Sequence, residues 1–204
     1  SHWWAVYSRN KRSISIDLKK DEGVDLLKEL VKKADVFIEN FLPGTLEKWG
    51  IGPQQLNKLN KNLIILRISG WGQTGIFKNA PGFGSLVEGM SGFAAMTGEE
   101  KQAPLLPPLA LADMVAGLTG FGAILMAILA SKKNNTGGQV IDLSLFEPFF
   151  SILGPWAASF KISGKVPERI GNRSNVAAPR GIYKTKDNKY CLLYTSDAAD
   201  DTLW

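Results

Sequence analysis

The chain has 204 residues, 45% hydrophobic and 21% charged, a composition that excludes disordered and fibrous classes and fits one globular domain or one and a fraction. Its net charge of +5, from 24 basic and 19 acidic residues, lacks the clustered basic stripe of a nucleic-acid binder and suits a small anionic ligand. One cysteine, Cys191, excludes an internal disulfide framework and a cysteine-rich zinc site, and it fits a reducing, cytoplasmic setting.

The opening Ser1-His2-Trp3-Trp4 has neither a Met nor the charged-then-apolar order of a signal peptide, so the chain is read as an internal fragment. Ser13-Ile14-Ser15-Ile16 alternates polar and apolar, which predicts a short half-buried strand. From Asp21 to Ala34, Val24, Leu27, Leu30, Val31 and Ala34 recur at helical spacing behind an acidic first turn. Asp35 to Asn40 is a compact apolar run and predicts a buried strand. Pro43-Gly44 ends it, Thr45 to Trp49 predicts a helical turn, and Gly50 to Leu59 a short helix. Leu63 to Ile68 is the next buried strand.

Strands alternating with helices of this length predict an α/β fold with a parallel sheet and crossover helices, and near-continuous apolar strands predict cover on both faces. A long Gly- and Pro-rich connection, Gly70 to Gly84, follows, then a helix from Ser85 to Ala95. The apolar stretch Met114 to Ala130 ends in Ser131-Lys132-Lys133. Val140 to Leu145 predicts a strand and Glu147 to Ile162 a helix. Gly164 to Arg180 reads as a linker, and Gly181 to Tyr190 as the first strand and turn of another unit. Leu192 to Trp204, with the small, acidic run Thr195 to Asp201 inside it, reads as a candidate non-native tail.

His2 is the only histidine, so catalysis by His triads, imidazole shuttles or His-metal clusters is not expected, and no metal site is predicted. Chemistry then falls to carboxylates, hydroxyls, lysines and backbone groups. Asp113 is the most informative acid. It stands at the start of the apolar helix, where unsatisfied N–H groups and the dipole favour an ionised carboxylate able to attack a carbonyl. The same residue type at the same place also serves as a plain N-cap. Leu109 to Ala130 carries one charge in 22 residues, so a membrane span competes with a buried helix. Arg9, Lys11 and Arg12, with Lys19 and Lys20, form either a solvated edge or a phosphate site. Asn40 lies at the end of a buried strand, where α/β folds bind ligands, or it caps the turn. Gly82-Phe83-Gly84 matches neither the P-loop nor the dinucleotide fingerprint.

Taken together, Asn10 to Ile14, Glu39 to Gly44, Pro81-Gly82-Phe83 to Met90-Ser91-Gly92, Ala110 to Asp113, Gly137 to Ser144, and Gly171-Asn172-Arg173 to Pro179-Arg180 resemble the family III CoA-transferases, also called the CaiB/BaiF family. The resemblance runs from about Val6 to Tyr190 and covers roughly half of a family member. It implies a truncated Rossmann-like large domain, residues 1–145, that binds coenzyme A and lacks its first βα unit. A helix and linker at 146–180 and the start of a small domain at 181–190 would follow, with 191–204 unassigned. It implies Asp113 as the catalytic carboxylate, acylated by an acyl-CoA and then carrying CoA as a thioester to a free carboxylic acid. CoA contacts would fall on Asp17, Leu18, Lys19, Asn40, Phe41, Leu42, Lys48, Ala80, Pro81, Gly82 and Phe83. Lys48 stands where the family often has Arg, which loses bidentate phosphate geometry. The acyl-CoA racemases of the same superfamily place a His where this chain has Phe83, so two-base racemisation lacks a partner. The resemblance further implies an interlocked homodimer, no nucleic-acid or membrane partner, and, from the wording of the motifs, a dicarboxylate acceptor. Apolar surface is expected around Phe146, Phe149, Phe150 and Trp156.

Overall fold

The computed structural model describes residues 2–194, and its first long helix follows from apolar spacing. A short helix α1 (His2–Tyr7) precedes α2 (Asp21–Val31), which buries Val24 and Val31 and carries Asp21 and Glu22 in its first turn. Asn60 closes the far end of α2, its side-chain amide donating to the carbonyls of Val31 at 3.0 Å and Ala34 at 2.8 Å. Next come β1 (Val36–Glu39), α3 (Thr45–Lys48), α4 (Pro53–Leu59, with Pro53 at the N-terminus where no N–H is needed) and β2 (Ile64–Ser69).

β1 and β2 pair in parallel with Val36 opposite Ile64 and Glu39 opposite Arg67. β3 (Val140–Ser144) completes a three-stranded sheet of order β1-β2-β3. The Ile65 N–H bonds the Gln139 carbonyl and the Leu145 N–H bonds the Ser69 carbonyl, so β2 and β3 advance in the same direction. Only β2 is covered on both faces, with Ile64 through Arg67 all buried. β1, at the sheet edge, leaves Ile38 56% exposed.

The remaining elements are α5 (Gly84–Met90), α6 (Phe93–Met96), α7 (Leu111–Asn134), α8 (Phe146–Ser151), α9 (Trp156–Ser163) and the antiparallel hairpin β4 (Arg180–Lys184) and β5 (Tyr190–Tyr194). The chain divides into two compact units: Ser1–Ile68 with Gly120–Asp142, and Ser69–Thr119 with Leu143–Trp204. The first unit is built on Val24, Val31, Leu46, Ile51, Leu56, Leu63 and Ile65. The second buries Val87, Ala112, Ala116 and Phe149, with Phe93 edge-on to Phe149 at 5.4 Å between ring centres.

Several expectations need correction. Residues 13–16 form no strand: the alternation is there, but no neighbouring strand pairs with them, and Ile14 is 63% exposed. The helix expected over 85–95 is two, because Gly92 takes φ +92 between them. The helix expected over 147–162 also breaks, at Gly154 (φ +78) followed by Pro155, which cannot donate to a preceding turn. Phe149 is not surface but fully buried. The second hairpin strand continues through Tyr194, so Leu192 to Tyr194 belong to the fold, whereas 195–204 lie outside the described residues.

α7 is apolar around its middle turns and is long and apolar enough to cross a membrane by length and composition. Its buried positions include the small Ala112, Ala116, Gly120 and Ala127, while Leu118, Phe121, Met126 and Leu129 stand more than half exposed.

Leu56 lies in the middle of the first unit's core and is wholly buried. Leu56→Ala is expected to cost about 2–5 kcal/mol, read as a shift of the urea midpoint at unchanged slope.

Candidate active site

The positions singled out in sequence fall into two groups, one in each unit. In the first unit, Asp17 turns the chain into α2. Its carboxylate accepts the Lys19 N–H at 3.0 Å, so it is spent on its own turn. Leu18 packs against the core and offers little beyond backbone, while Lys19 is exposed. The basic residues before them bond locally: Arg9 donates to the Val6 carbonyl at 3.3 Å and Lys11 to the Tyr7 carbonyl, neutralising the end of α1.

Asn40, Phe41 and Leu42 leave the C-terminal end of β1 and are all exposed, Leu42 at 74%. The Phe41 ring stands edge-on to Trp49 at 5.2 Å, and Trp49 packs on the core. Lys48 is exposed at the end of α3. Beneath this loop lies an ion network, buried at Glu39 and Arg67 and open to solvent at Glu47. The Arg67 Nε donates to Glu39 Oε1 at 2.7 Å, and its two terminal nitrogens donate to the Glu47 oxygens at 2.6 and 3.2 Å. The second oxygen of Glu39 accepts the Phe41 N–H at 2.7 Å. Sequence reading missed this network, although Glu39 and Arg67 sit in the two apolar strands as conspicuous charges. Burial works against the Arg67 cation, yet the hydrogen bonds it donates to Glu47 and Glu39 together hold its pKa above the ordinary arginine value. The same Arg67 hydrogen bonds hold Glu47 below the usual glutamate range against partial burial.

In the second unit, Ala80, Pro81, Gly82 and Phe83 close a loop that begins at Gly70. Gly70 and Gly82 press backbone to backbone: a Cβ on Gly82 would lie 2.6 Å from the Gly70 Cα. The Trp71 indole N–H donates to the Pro81 carbonyl at 2.9 Å, and the ring lies beside Phe77 and Phe146. The loop thereby delivers Phe83, 69% exposed, to the N-terminal end of α5.

Asp113 is not the cap of α7 but its third residue, exposed, in the first turn. Its carboxylate rests against Gly84, where an added Cβ would come within 2.5 Å of Asp113 Oδ2. The preceding residue is fixed from inside, since the Ala112 N–H donates at 3.2 Å to the carboxylate of Glu88, which is 3% exposed. The second unit therefore presents an exposed carboxylate on a braced helix turn, beside a glycine that leaves it space. Such a group can act as a nucleophile or hold a cation. Among the described residues no cluster of His, Cys, Asp and Glu could hold a metal.

The family model for CoA-transferase family III matches residues 1–203. The succinyl-CoA–L-malate CoA-transferase alpha subunit of Chloroflexus aurantiacus is 42% identical over 93% of this chain and 44% of its own length. The succinate–glutarate CoA-transferase of Agrobacterium fabrum is 37% identical over 96% of this chain and 48% of its own. Among solved structures, a CAIB/BAIF family protein from Brucella suis superposes with a TM-score of 0.83 and 35% identity, over 91% of this chain and 49% of that one. The chain spans about half the length of the curated relatives it matches.

The ion network makes stability depend on pH in one direction. Glu47 has a lowered pKa in the folded state, so its contribution is complete above the ordinary glutamate pKa of about 4.3 and is lost as pH falls through the lowered value. The stability gap between wild type and Glu47→Gln, from urea unfolding, should be under about 1 kcal/mol at pH 7, because the Glu47 side chain is 45% exposed. It should close as pH falls below the ordinary glutamate pKa of about 4.3.

Proposed function

The chain belongs to CoA-transferase family III, and from that membership we propose that the whole protein moves coenzyme A between an acyl-CoA and a free carboxylic acid, with Asp113 as covalent carrier. The observation that carries this reading is the exposed Asp113 carboxylate against the bare Cα of Gly84, one residue beyond the Ala80–Phe83 stretch. An acylated aspartate needs room beside it, and glycine supplies that room.

The reaction needs neither metal nor redox partner. An Asp113 oxygen attacks the thioester carbonyl, forming a C–O bond and breaking C–S, which leaves a mixed anhydride and CoA thiolate. The thiolate attacks the Asp113 carbonyl carbon and expels the donor acid as its carboxylate, leaving an aspartyl-CoA thioester. The acceptor carboxylate then attacks that carbonyl and releases the thiolate again. Thiolate attack on the acceptor's acyl carbon gives the new acyl-CoA and restores the Asp113 carboxylate. No proton is left over in any step.

Coenzyme A is proposed to lie on Asp17, Leu18, Lys19, Asn40, Phe41, Leu42, Lys48, Ala80, Pro81, Gly82 and Phe83, with Leu18 contributing main chain only. Phe83 offers a hydrocarbon ring where the racemases hold a proton-transferring His, which favours transfer over racemisation. The names of the relatives, together with the net charge of +5, support dicarboxylates as the acids exchanged and succinyl-CoA as donor. A Rossmann-like large domain, an interlocked homodimer and a cytoplasmic setting complete the proposal.

Full-length protein given succinyl-CoA with glutarate or L-malate is expected to produce the second CoA ester. Asp113→Ala should lose at least about a thousandfold in kcat, and transfer by that variant at the wild-type rate would overturn the nucleophile assignment. Gly84→Ala, which crowds Oδ2 without removing it, should lower kcat about 10- to 100-fold with the far-ultraviolet circular dichroism unchanged.

A further inference from the structure

Glu39 and Arg67 are charged residues placed where the sheet buries almost everything: Glu39 is 4% exposed and Arg67 6%. Burying such a pair is no route to stability by itself, since desolvating both ions roughly cancels their attraction. The arrangement does achieve one thing that an apolar pair would not. Arg67 occupies one oxygen of Glu39, and the other oxygen takes the main-chain N–H of Phe41 at 2.7 Å. The strand register sets Glu39 directly opposite Arg67, so the position of the carboxylate is dictated by the sheet. Glu47 holds Arg67 from the far side through both of its oxygens.

We infer that Glu39, held by Arg67, is a positioning residue for the Asn40–Leu42 loop and thereby for coenzyme A. The inference rests on the proposed function, and it assigns to the Glu39–Arg67 pair a role in affinity rather than in the chemical step. The physical reason is that both acceptors of Glu39 are committed to donors. A glutamine there has one acceptor and one NH2 group. Whichever way it turns, a donor faces either the Arg67 Nε or the Phe41 N–H, and the loop loses its tie to the sheet. Phe41 and Leu42 would then sample other conformations, and a ligand would have to order them on binding.

The test uses full-length protein and free CoA, titrated calorimetrically. It compares wild type, Glu39→Gln, and the surface control Glu29→Gln on α2, where Glu29 pairs only with Lys32 in solvent. Glu39→Gln is expected to raise the Kd for CoA and the KM for acyl-CoA together, about three- to tenfold. Its kcat at saturation should stay within about twofold, and the control should match wild type. The Phe41 amide is expected to be protected from hydrogen exchange in wild type and to exchange faster in Glu39→Gln. Wild-type CoA affinity in a folded Glu39→Gln overturns the inference, as does a loss confined to kcat. An unprotected Phe41 amide in wild type overturns it without any variant. If Glu39→Gln does not fold, Glu39→Met/Arg67→Met removes the acceptor and the stranded cation together and should show the same weakening, and wild-type affinity there overturns the inference. Wild-type protein that binds no CoA defeats the functional reading itself, a result distinct from tight binding that ignores Glu39.

Discussion

A parallel strand covered on both faces tolerates no unpaired polar group, and β2 is such a strand from Ile64 to Arg67. Arg67 therefore has to carry its partners with it. The register of β1 against β2 brings Glu39 level with it, and α3 supplies Glu47. The same demand ties the register down. A slip of one residue would turn Glu39 to the other face and leave Arg67 with only the half-exposed Glu47 as partner. The exit of the chain from β1 into the Asn40–Leu42 loop inherits its geometry from that pairing.

The second unit solves a different problem, which is how to hold an exposed carboxylate still. The turn that carries Asp113 is fixed by the Ala112 N–H on the buried Glu88, and its surroundings by the absence of a side chain at Gly84. Upstream, the backbone contact between Gly70 and Gly82 shuts the base of a loop whose length alone would leave its far end undetermined. Glycine at these positions is a matter of close approach, not of flexibility.

α7 reverses the usual order of a soluble helix, since its buried positions include the small residues and its exposed ones the bulky Leu118, Phe121, Met126 and Leu129. Small residues let a helix approach neighbouring backbone closely, which explains the buried stripe. A face of large apolar side chains is stable in water only when something apolar covers it. The chain spans about half the length of its curated relatives.

By itself the sequence determined the α/β class, the helices and strands with clear periodicity, and the candidate carboxylate, because apolar spacing and composition are local properties. It also carried the family, through short motifs in a fixed order, and with it the expectation that Asp113 is the reacting carboxylate. It did not show that 13–16 lack a partner strand, since alternation describes a residue's two faces and not what lies beside them. Nor did it show the breaks at Gly92 and Gly154, where a glycine inside an apolar run is equally compatible with a continuous helix. Only the tertiary structure decided that Asp113 sits inside the first turn of α7 against Gly84, and that Glu39, Glu47 and Arg67 meet under one loop. Those facts depend on contacts between residues 20 to 29 positions apart. No periodicity or propensity encodes such separations, because what fixes them is the packing of whole elements.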